Sequence, residues 1–294
     1  MLHLMEAHDW HPKEEEKIDA HLDELTSRER ESMARVAPIA ACDEDEESLL
    51  CRRYLVYVAA VREVRKAVAA TLDELQDIGA LEDTVVILYS DHGEEFSDHA
   101  ETGIDPLRLE GYSDSYPRRY GHGHKMYEEM LHVPLMIWHP DYDGAEIDQP
   151  VSLVDIAPSA ARWLGMDFSP RDWPGYYLEA AMESSPELAE RTLFASSISY
   201  GEEQVSIRRG DRKSIWYEVS DGSEFFDLQR DPGERKPLSA PPWALQFDGY
   251  LLDYVDSKPR QPSKSSELTE QQIRQLQSIG YMQKVEVGES AAEE

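Results

Sequence analysis

Two runs of consecutive apolar residues in the first half of the chain are typical of buried strands. One spans residues 84–90 (TVVILYS), and the other spans residues 133–138 (VPLMIW) and ends before His139-Pro140. Unbroken runs of this kind are typical of strands that are covered on both faces of a mostly parallel sheet. Because strands alternate with helical patterns over residues 1–165, the sequence predicts an α/β layer fold.

Helices flank these two strands in the predicted order. A helix is predicted over residues 54–79, because apolar residues recur at helical spacing and predict one buried face at Val58, Val61, Val68, Leu72 and Leu75. Gly79 then provides a stop signal. A second, shorter helix is predicted over residues 151–164, with Gly165 just past its end.

The second half of the chain predicts short antiparallel strands. They are expected at residues 192–199, 204–209, 213–219 and 224–228, with hairpin turns at Gly210-Asp211 and Asp221-Gly222. An amphipathic helix is predicted over residues 269–281. We therefore expect three parts: an α/β core over residues 1–190, a lobe of antiparallel sheet plus helix over 191–284, and an acidic tail over 285–294.

The charge balance excludes several classes of partner. Sixty acidic residues face 29 Lys and Arg, for a net charge of −31. We therefore expect no binding to nucleic acid or to an anionic membrane surface, since both need clustered cations. No apolar run is long enough to span a bilayer, and no signal peptide is expected. Acidity spread along the whole chain, with few lysines, favours a halophilic protein over an ordinary acidic one.

The two cysteines, Cys42 and Cys51, sit in no metal-binding or paired spacing. We therefore expect no disulfide and a reduced, cytoplasmic setting.

Candidate chemistry begins where the first apolar strand ends. Asp91-His92-Gly93 directly follows that strand, and ligands of open α/β sheets bind beyond the carboxyl ends of strands. An Asp oxygen beside a His nitrogen can coordinate one divalent cation. The same tripeptide also occurs as a plain turn, so by itself it is a weak signal.

Further basic groups lie in the long polar segment between the two strands. His99, His122, His124 and Lys125 can all donate to an oxyanion, which together with a metal pair predicts a site for an anionic ester. His8 precedes Pro12 near the N-terminus and is either a strand-end donor or a surface residue.

Several segments, in order, resemble the sulfatase family of the alkaline phosphatase superfamily. They are MLHLMEAHDWHP (1–12), LEDTVVILYSDHGE (81–94), GHGHKMYEEMLHVP (121–134), LVDIAPSAARWLG (153–165), FFDLQRDPGE (225–234) and RQLQSIGYM (274–282). The Asp-His-Gly segment and the helix at 153–165 are shared with phosphodiesterases of the superfamily. The Asp-Pro-x-Glu segment is more specific to sulfatases.

The resemblance implies that the α/β core over residues 1–190 is alkaline phosphatase-like and incomplete at its N-terminus. It also implies a metal-dependent hydrolase of small-molecule sulfate esters. Asp91 and His92 would be metal ligands for one Ca²⁺ or Mg²⁺, the hard cations that oxygen ligands select. His8 and His122 would contact the sulfate or the leaving oxygen as catalytic residues. Lys125 is the alternative to His122 in that role, and His124 would also bind substrate.

The resemblance also implies a nucleophile that neither cysteine supplies. Sulfatases carry a C/S-x-P-x-R motif whose Cys or Ser becomes formylglycine, and neither Cys42 nor Cys51 fits it. We therefore expect that the formylglycine nucleophile is not encoded in this chain, and that activity needs an N-terminal segment, which a complementing N-terminal chain could supply. Two alternatives stay open: a truncated, non-catalytic homologue or partner subunit, and a phosphodiesterase or phosphonate hydrolase.

Overall fold

The computed structural model describes residues 4, 49–96, 99, 121–166, 175–196 and 202–257. The helices are α1 (Leu49–Asp77), α2 (Glu128–Leu131), α3 (Ile156–Trp163), α4 (Glu179–Met182), α5 (Pro186–Ala189) and α6 (Ala244–Ser257). The strands are β1 (Val86–Tyr89), β2 (Leu135–Trp138), β3 (Thr192–Ser196), β4 (Gln204–Arg209), β5 (Arg212–Tyr217) and β6 (Gly222–Asp227). Short 3₁₀ turns at Ala80–Asp83 and Leu153–Asp155 precede β1 and α3.

Helix α1 is longer than predicted and is covered mainly near its N-terminus. Of the residues predicted to form its buried face, Val58 is buried, but Val61 is 40% exposed. Tyr54 and Tyr57 pack against Phe96, with ring centroids 5.1 and 5.0 Å apart. The helix is therefore anchored to the segment that follows β1, close to the candidate site. Within the described residues, no helix combines the length and apolar character that a bilayer span requires.

The disulfide expectation is wrong. Cys51 is buried in α1 and is disulfide-bonded, and the described part of the chain contains no free cysteine. The spacing of two isolated cysteines carries no information about their approach in space, which is why the sequence did not reveal this bond.

Strands β1 and β2 pair with each other in antiparallel sense, whereas the sequence predicted that both belong to a mostly parallel sheet. Their register is antiparallel, with Val86 opposite Trp138 and Tyr89 opposite Leu135. No two strands within the described ranges are parallel. An unbroken apolar run does not encode strand direction, and the 45 residues between the strands allow either sense. The expectation that both faces of these strands are covered is not met either. Large side chains of this pair stay exposed, among them Met136 at 58% and Trp138 at 52%.

The predicted C-terminal sheet is confirmed as an antiparallel meander in the order β3-β4-β5-β6. Turns at Gly210-Asp211 and at Asp221-Gly222 connect its strands. Alternation along the strands gives the sheet two apolar faces. One face packs on α6 through Val205, Ile207, Phe225 and Phe247. The other packs on the segment before α2 through Met126, Tyr127, Ile215, Tyr217, Phe226 and Leu228.

Helix α6 was not predicted from the sequence, and the helix predicted over 269–281 lies outside the described residues. Helix α3 was predicted correctly. Its preceding Asp155 is almost fully buried and accepts hydrogen bonds from the backbone N–H groups of Ser152 and Tyr176 at 2.8 and 2.7 Å. The guanidinium of Arg191 donates to both carboxylate oxygens at 2.8 and 2.7 Å. The aspartate of this motif is therefore structural.

Candidate functional site

The Asp91-His92-Gly93 turn is held in place by contacts to the turn itself and to α2. The Ser90 hydroxyl donates to the His92 carbonyl at 2.7 Å, and Gly93 N–H donates to the Met130 carbonyl at 2.9 Å. A Cβ atom at Gly93 would lie 1.8 Å from the carbonyl oxygen of Glu129. Glycine is thus required here by close backbone approach, since any larger residue would push the turn away from α2.

The segment that follows this turn, residues 94–96, runs beside the stretch that begins at Gly121. Glu95 and Gly121 exchange two backbone hydrogen bonds, with N–O distances of 2.9 and 3.0 Å. Side chains of an extended segment alternate in direction, so Glu94 and Glu95 point to different partners on the opposite loop. Glu94 contacts His122, whereas Glu95 contacts His124 and Lys125.

One group of side chains at this junction has the geometry of a metal site. One ligand atom from each of His92, Glu94 and His122 lies within 4.8 Å of the others. The two imidazole rings stack with centroids 4.1 Å apart, and Nδ1 of His122 lies 2.9 Å from Oε2 of Glu94. These three residues are called the His–Glu–His cluster below.

Glu94 shows why this cluster fits a cation. Its side chain is only 5% exposed, and its second oxygen, Oε1, has no hydrogen-bond partner within the described part of the chain. A buried carboxylate oxygen left unpaired costs free energy that a bound cation would recover. In addition, Nδ1 of His92 lies 2.8 Å from the carbonyl oxygen of Gly93. Contacts of this kind commonly orient a metal-binding imidazole.

Glu95 forms a buried ionic centre behind the cluster. Its carboxylate is fully buried and lies 2.5 Å from Nζ of Lys125 and 2.7 Å from Nε2 of His124. Burial alone would raise the pKa of Glu95, but the hydrogen bonds and charges of His124 and Lys125 outweigh it and hold the pKa below its usual value. Glu95 is therefore ionised and binds the two loops together.

The cluster opens onto a cleft of about 1270 Å³. Asp91, His92, His122 and Lys125 line it, and Arg208 of the C-terminal sheet lines its far side. The cleft thus lies between the β1–β2 pair and the C-terminal sheet, so both parts of the chain contribute to it.

The predicted site residues reach this place to different degrees. Asp91 and His92 are adjacent, with 3.8 Å between Oδ1 and Nε2, but Asp91 is 59% exposed and is not part of the His–Glu–His cluster. His122 joins the cluster, and Lys125 lines the cleft while paired to Glu95. His124 contacts Glu95 instead of an open surface. His8 lies outside the described residues.

Glu94 and Glu95 were not selected from the sequence, although a signal for one of them was present. His92 and Glu94 are two residues apart in an extended segment, so they share a face. The expected absence of a nucleophile motif is also wrong. The stretch Ser115-Tyr116-Pro117-Arg118-Arg119 fits C/S-x-P-x-R, contrary to the expectation that the motif is absent, and it lies outside the described residues.

Comparison with known proteins places the chain in a family. The family model described as Sulfatase matches residues 1–166. The chain is 27% identical over 215 residues to arylsulfatase K of Xenopus laevis, covering 68% of this chain and 36% of that protein. It is 25% identical over 238 residues to the steryl-sulfatase of Mus musculus, covering 69% and 36%. The chain therefore spans little more than a third of the length of these curated relatives.

Solved structures show the same fold. A protein in complex with its substrate D-glucosamine-2-N,6-O-disulfate matches 80% of this chain and 47% of that chain, with a TM-score of 0.53 and 23% identity. The phosphonate monoester hydrolase of Silicibacter pomeroyi covers 80% and 47%, with a TM-score of 0.55 and 16% identity. The fold is alkaline phosphatase-like, with the antiparallel sheet and helix as its C-terminal lobe. The family model covers more than half of this chain, and the relatives are sulfuric ester hydrolases. The chain therefore belongs to the sulfatase family.

Proposed function

We propose that this cleft binds small sulfate esters and takes part in their hydrolysis with the help of a divalent cation. The observation that carries the proposal is that His92 and His122, the two imidazoles of the His–Glu–His cluster, line one cleft together with Lys125. Sulfate-ester cleavage builds negative charge on the ester oxygen and the sulfuryl oxygens. A cation held by the protein supplies charge stabilisation at these oxygens, and it does so best where water is excluded.

Lys125 supports the binding of an anionic ester. Its ammonium group has three N–H donors, of which one donates to Glu95 at 2.5 Å and one to the His99 carbonyl at 3.1 Å. Because Lys125 lines the cleft, its third donor can reach a sulfuryl oxygen. The pair with Glu95 fixes the ammonium before substrate arrives, which reduces the reorganisation needed during reaction.

The two carboxylates near the cluster differ in exposure, since Asp91 faces solvent and Glu94 is buried. A sulfate monoester is a monoanion, and on approaching the cleft it meets Asp91, which is 59% exposed, before Glu94, which is 5% exposed. A cation beside these carboxylates is needed to make the entrance attractive to an anion, and this supports the metal requirement of the proposal.

The nucleophile, in this proposal, comes from outside the described residues. A segment with a C/S-x-P-x-R motif, on this polypeptide or on a complementing chain, would supply it, and His8 remains the predicted donor to the leaving oxygen. Ser115→Ala tests whether the stretch at 115–119 contributes.

Hydrolysis of an aryl sulfate tests the proposed function. The chain is assayed alone and co-expressed with a sulfatase segment carrying the formylglycine motif, with and without EDTA. We expect EDTA-sensitive hydrolysis in the complemented sample. Lys125→Met should lower kcat by about 10²-fold, the usual cost of one oxyanion donor, whereas Lys66→Met, an exposed control, should leave it unchanged.

Two results would overturn the proposal. Faster turnover of an aryl phosphodiester or phosphonate ester than of the sulfate would assign the chain to the other hydrolases of this fold. Neither hydrolysis nor EDTA-sensitive binding of the aryl sulfate, in both samples, would identify a non-catalytic homologue.

A further inference from the structure

We propose that the cation of this site is a nitrogen-binding transition ion, with Zn²⁺ as the best fit, held by His92, Glu94 and His122. This inference rests on the proposed function for its chemistry, since it names the ion of the same cleft. It replaces two predictions drawn from family resemblance: that the ion is Ca²⁺ or Mg²⁺, and that Asp91 with His92 holds it.

The donor set supports a transition ion. Two of the three ligand groups are imidazoles, and only one is a carboxylate. Ca²⁺ and Mg²⁺ take six or more oxygen ligands, whereas imidazole suits zinc and its neighbours. Two histidines with one glutamate is a known ligand set of catalytic zinc, and it leaves a fourth position for a substrate oxygen or water.

The burial of Glu94 supports its assignment as a ligand in place of Asp91. Glu94 is 5% exposed and its Oε1 is unpartnered among the described residues, so an ion at this position would satisfy an otherwise costly oxygen. Asp91 is 59% exposed and water can solvate it, so it gains less from an ion.

The contact between Glu94 and His122 shows how the site is held before an ion binds. Their atoms lie 2.9 Å apart, a distance at which one proton is shared as a hydrogen bond. Assigning His122 to the ion leaves Lys125 as the described residue that contacts the sulfuryl group.

Metal binding can be measured without substrate. The full chain, stripped with a chelator and gel-filtered, is titrated separately with Zn²⁺, Mn²⁺, Ca²⁺ and Mg²⁺ by calorimetry, and retained metal is counted by mass spectrometry. A buffer of about 1 M NaCl shortens the Debye length to about 3 Å, which suppresses loose binding to the acidic surface. We expect one Zn²⁺ per chain, no retained Ca²⁺, and a visible absorption spectrum of nitrogen-bound Co²⁺ in the cobalt-loaded protein.

Variants identify the ligands. Glu94→Gln and His122→Ala should each weaken Zn²⁺ binding at least 10-fold, which is about the lower limit for lost support of a metal site. Two exposed residues outside the cluster provide matched controls, Glu82→Gln and His132→Ala, and these should bind Zn²⁺ like the wild type. Asp91→Asn should do so within about 3-fold, and circular dichroism confirms folding of each variant.

Retention of Ca²⁺ but not Zn²⁺ by the wild type would overturn the inference, and this test needs no variant. Unchanged Zn²⁺ affinity in both Glu94→Gln and His122→Ala would overturn it as well. Ester hydrolysis supported by Ca²⁺ would leave the proposed function intact while rejecting this ion assignment. Zn²⁺ binding in a chain without any esterase activity would support the ion assignment while rejecting the proposed function.

Discussion

Nζ of Lys213 lies 2.8 Å from Oε1 of Glu234, and both side chains are fully buried. Lys213 alternates with Ile215 and Tyr217 along β5, on the face that packs against the segment before α2. Its ammonium also lies 3.0 Å from Glu128, whose backbone N–H donates to Glu234 at 2.5 Å. Glu234 is the last residue of the Asp-Pro-x-Glu segment, so this motif joins the C-terminal sheet to the helix beside the candidate site.

Removing Lys213 should therefore destabilise the whole molecule. Burial raises the pKa of Glu234, and Lys213 only partly offsets this effect, so the carboxylate depends on its partner. Breaking one side of a buried ion pair costs about 3–5 kcal/mol. We expect a loss of that size for Lys213→Met in urea unfolding at pH 7, with part of it recovered in the double variant Lys213→Met/Glu234→Gln. The exposed pair of Lys66 is the control, and Lys66→Met should cost less than about 1 kcal/mol.

The close approach of Gly93 to α2 gives a second prediction. Gly93→Ala places a methyl group against the Glu129 carbonyl, and overpacking of this kind costs about 1–3 kcal/mol. The variant should also bind the site's cation more weakly, because the displaced turn carries His92. Gly144 has no atom within 4 Å of an added Cβ, so Gly144→Ala should be neutral or slightly stabilising. Equal stability of the two variants would contradict the packing described here.

Glu95 predicts a sensitivity to acid. Its pKa is lowered in the folded protein from about 4.5, so its contribution to stability is complete above that value and is lost as pH falls through the folded pKa. Glu95→Gln should be less stable than the wild type at pH 7, and the difference should shrink as the pH is lowered below 4.5. Urea unfolding at a series of pH values measures it, with Glu82→Gln as the exposed control. A difference that grows toward acid would reject the assignment.

His99 predicts the opposite sign. Burial opposes its protonation, but the hydrogen bond to Glu129 at 2.6 Å and the charges of Glu129 and Glu234 outweigh burial and the repulsion from Lys125, raising its pKa. Its other nitrogen faces the carbonyl oxygens of Gly233 and Glu234 at 3.0 and 3.2 Å, so both nitrogens meet acceptors.

The stability that protonated His99 provides is complete below about pH 6.5 and is lost as pH rises through the raised folded pKa. In the wild type the ring centroids of His99 and Tyr127 lie 3.7 Å apart. His99→Phe keeps a ring that can stack on Tyr127 but removes the hydrogen bonds of both imidazole nitrogens. The stability difference between wild type and variant should therefore decrease as pH rises above 6.5. NMR titration of the imidazole provides a direct check, and a pKa at or below 6.5 would contradict the prediction.

The sequence predicted the C-terminal sheet well because its strands alternate and its turns carry Gly-Asp and Asp-Gly pairs. Strands β4, β5 and β6 begin within two residues of their predicted starts. Helix α6 was missed; Gly249 lies in its interior and lowers its helical propensity. The antiparallel pairing of β1 with β2 was not predicted, because hydrophobicity along a strand does not encode the direction of its neighbour.

The site was predicted in part for a similar reason. Asp91-His92-Gly93 could be located because a strand end and a glycine mark it, and His122 because it lies in a dense basic loop. Which of two adjacent acids, Glu94 or Glu95, meets which histidine depends on the register of the bridge between Glu95 and Gly121. That register is a tertiary contact between residues 26 positions apart, and local patterns in the chain do not specify it.

Because of the bridge between Glu95 and Gly121, the sequence between these two residues should tolerate replacement by segments of other lengths. Glu95 and Gly121 are joined by two backbone hydrogen bonds, and Glu95 also binds Lys125, so both ends are fixed independently of what connects them. Lengthening a connection whose ends are already fixed adds only about 0.6 kcal/mol per doubling of its length. Segments of other lengths grafted between His99 and Ser115 should then leave the cation and anion groups in register, so that substrate preference can be redesigned without rebuilding the chemistry.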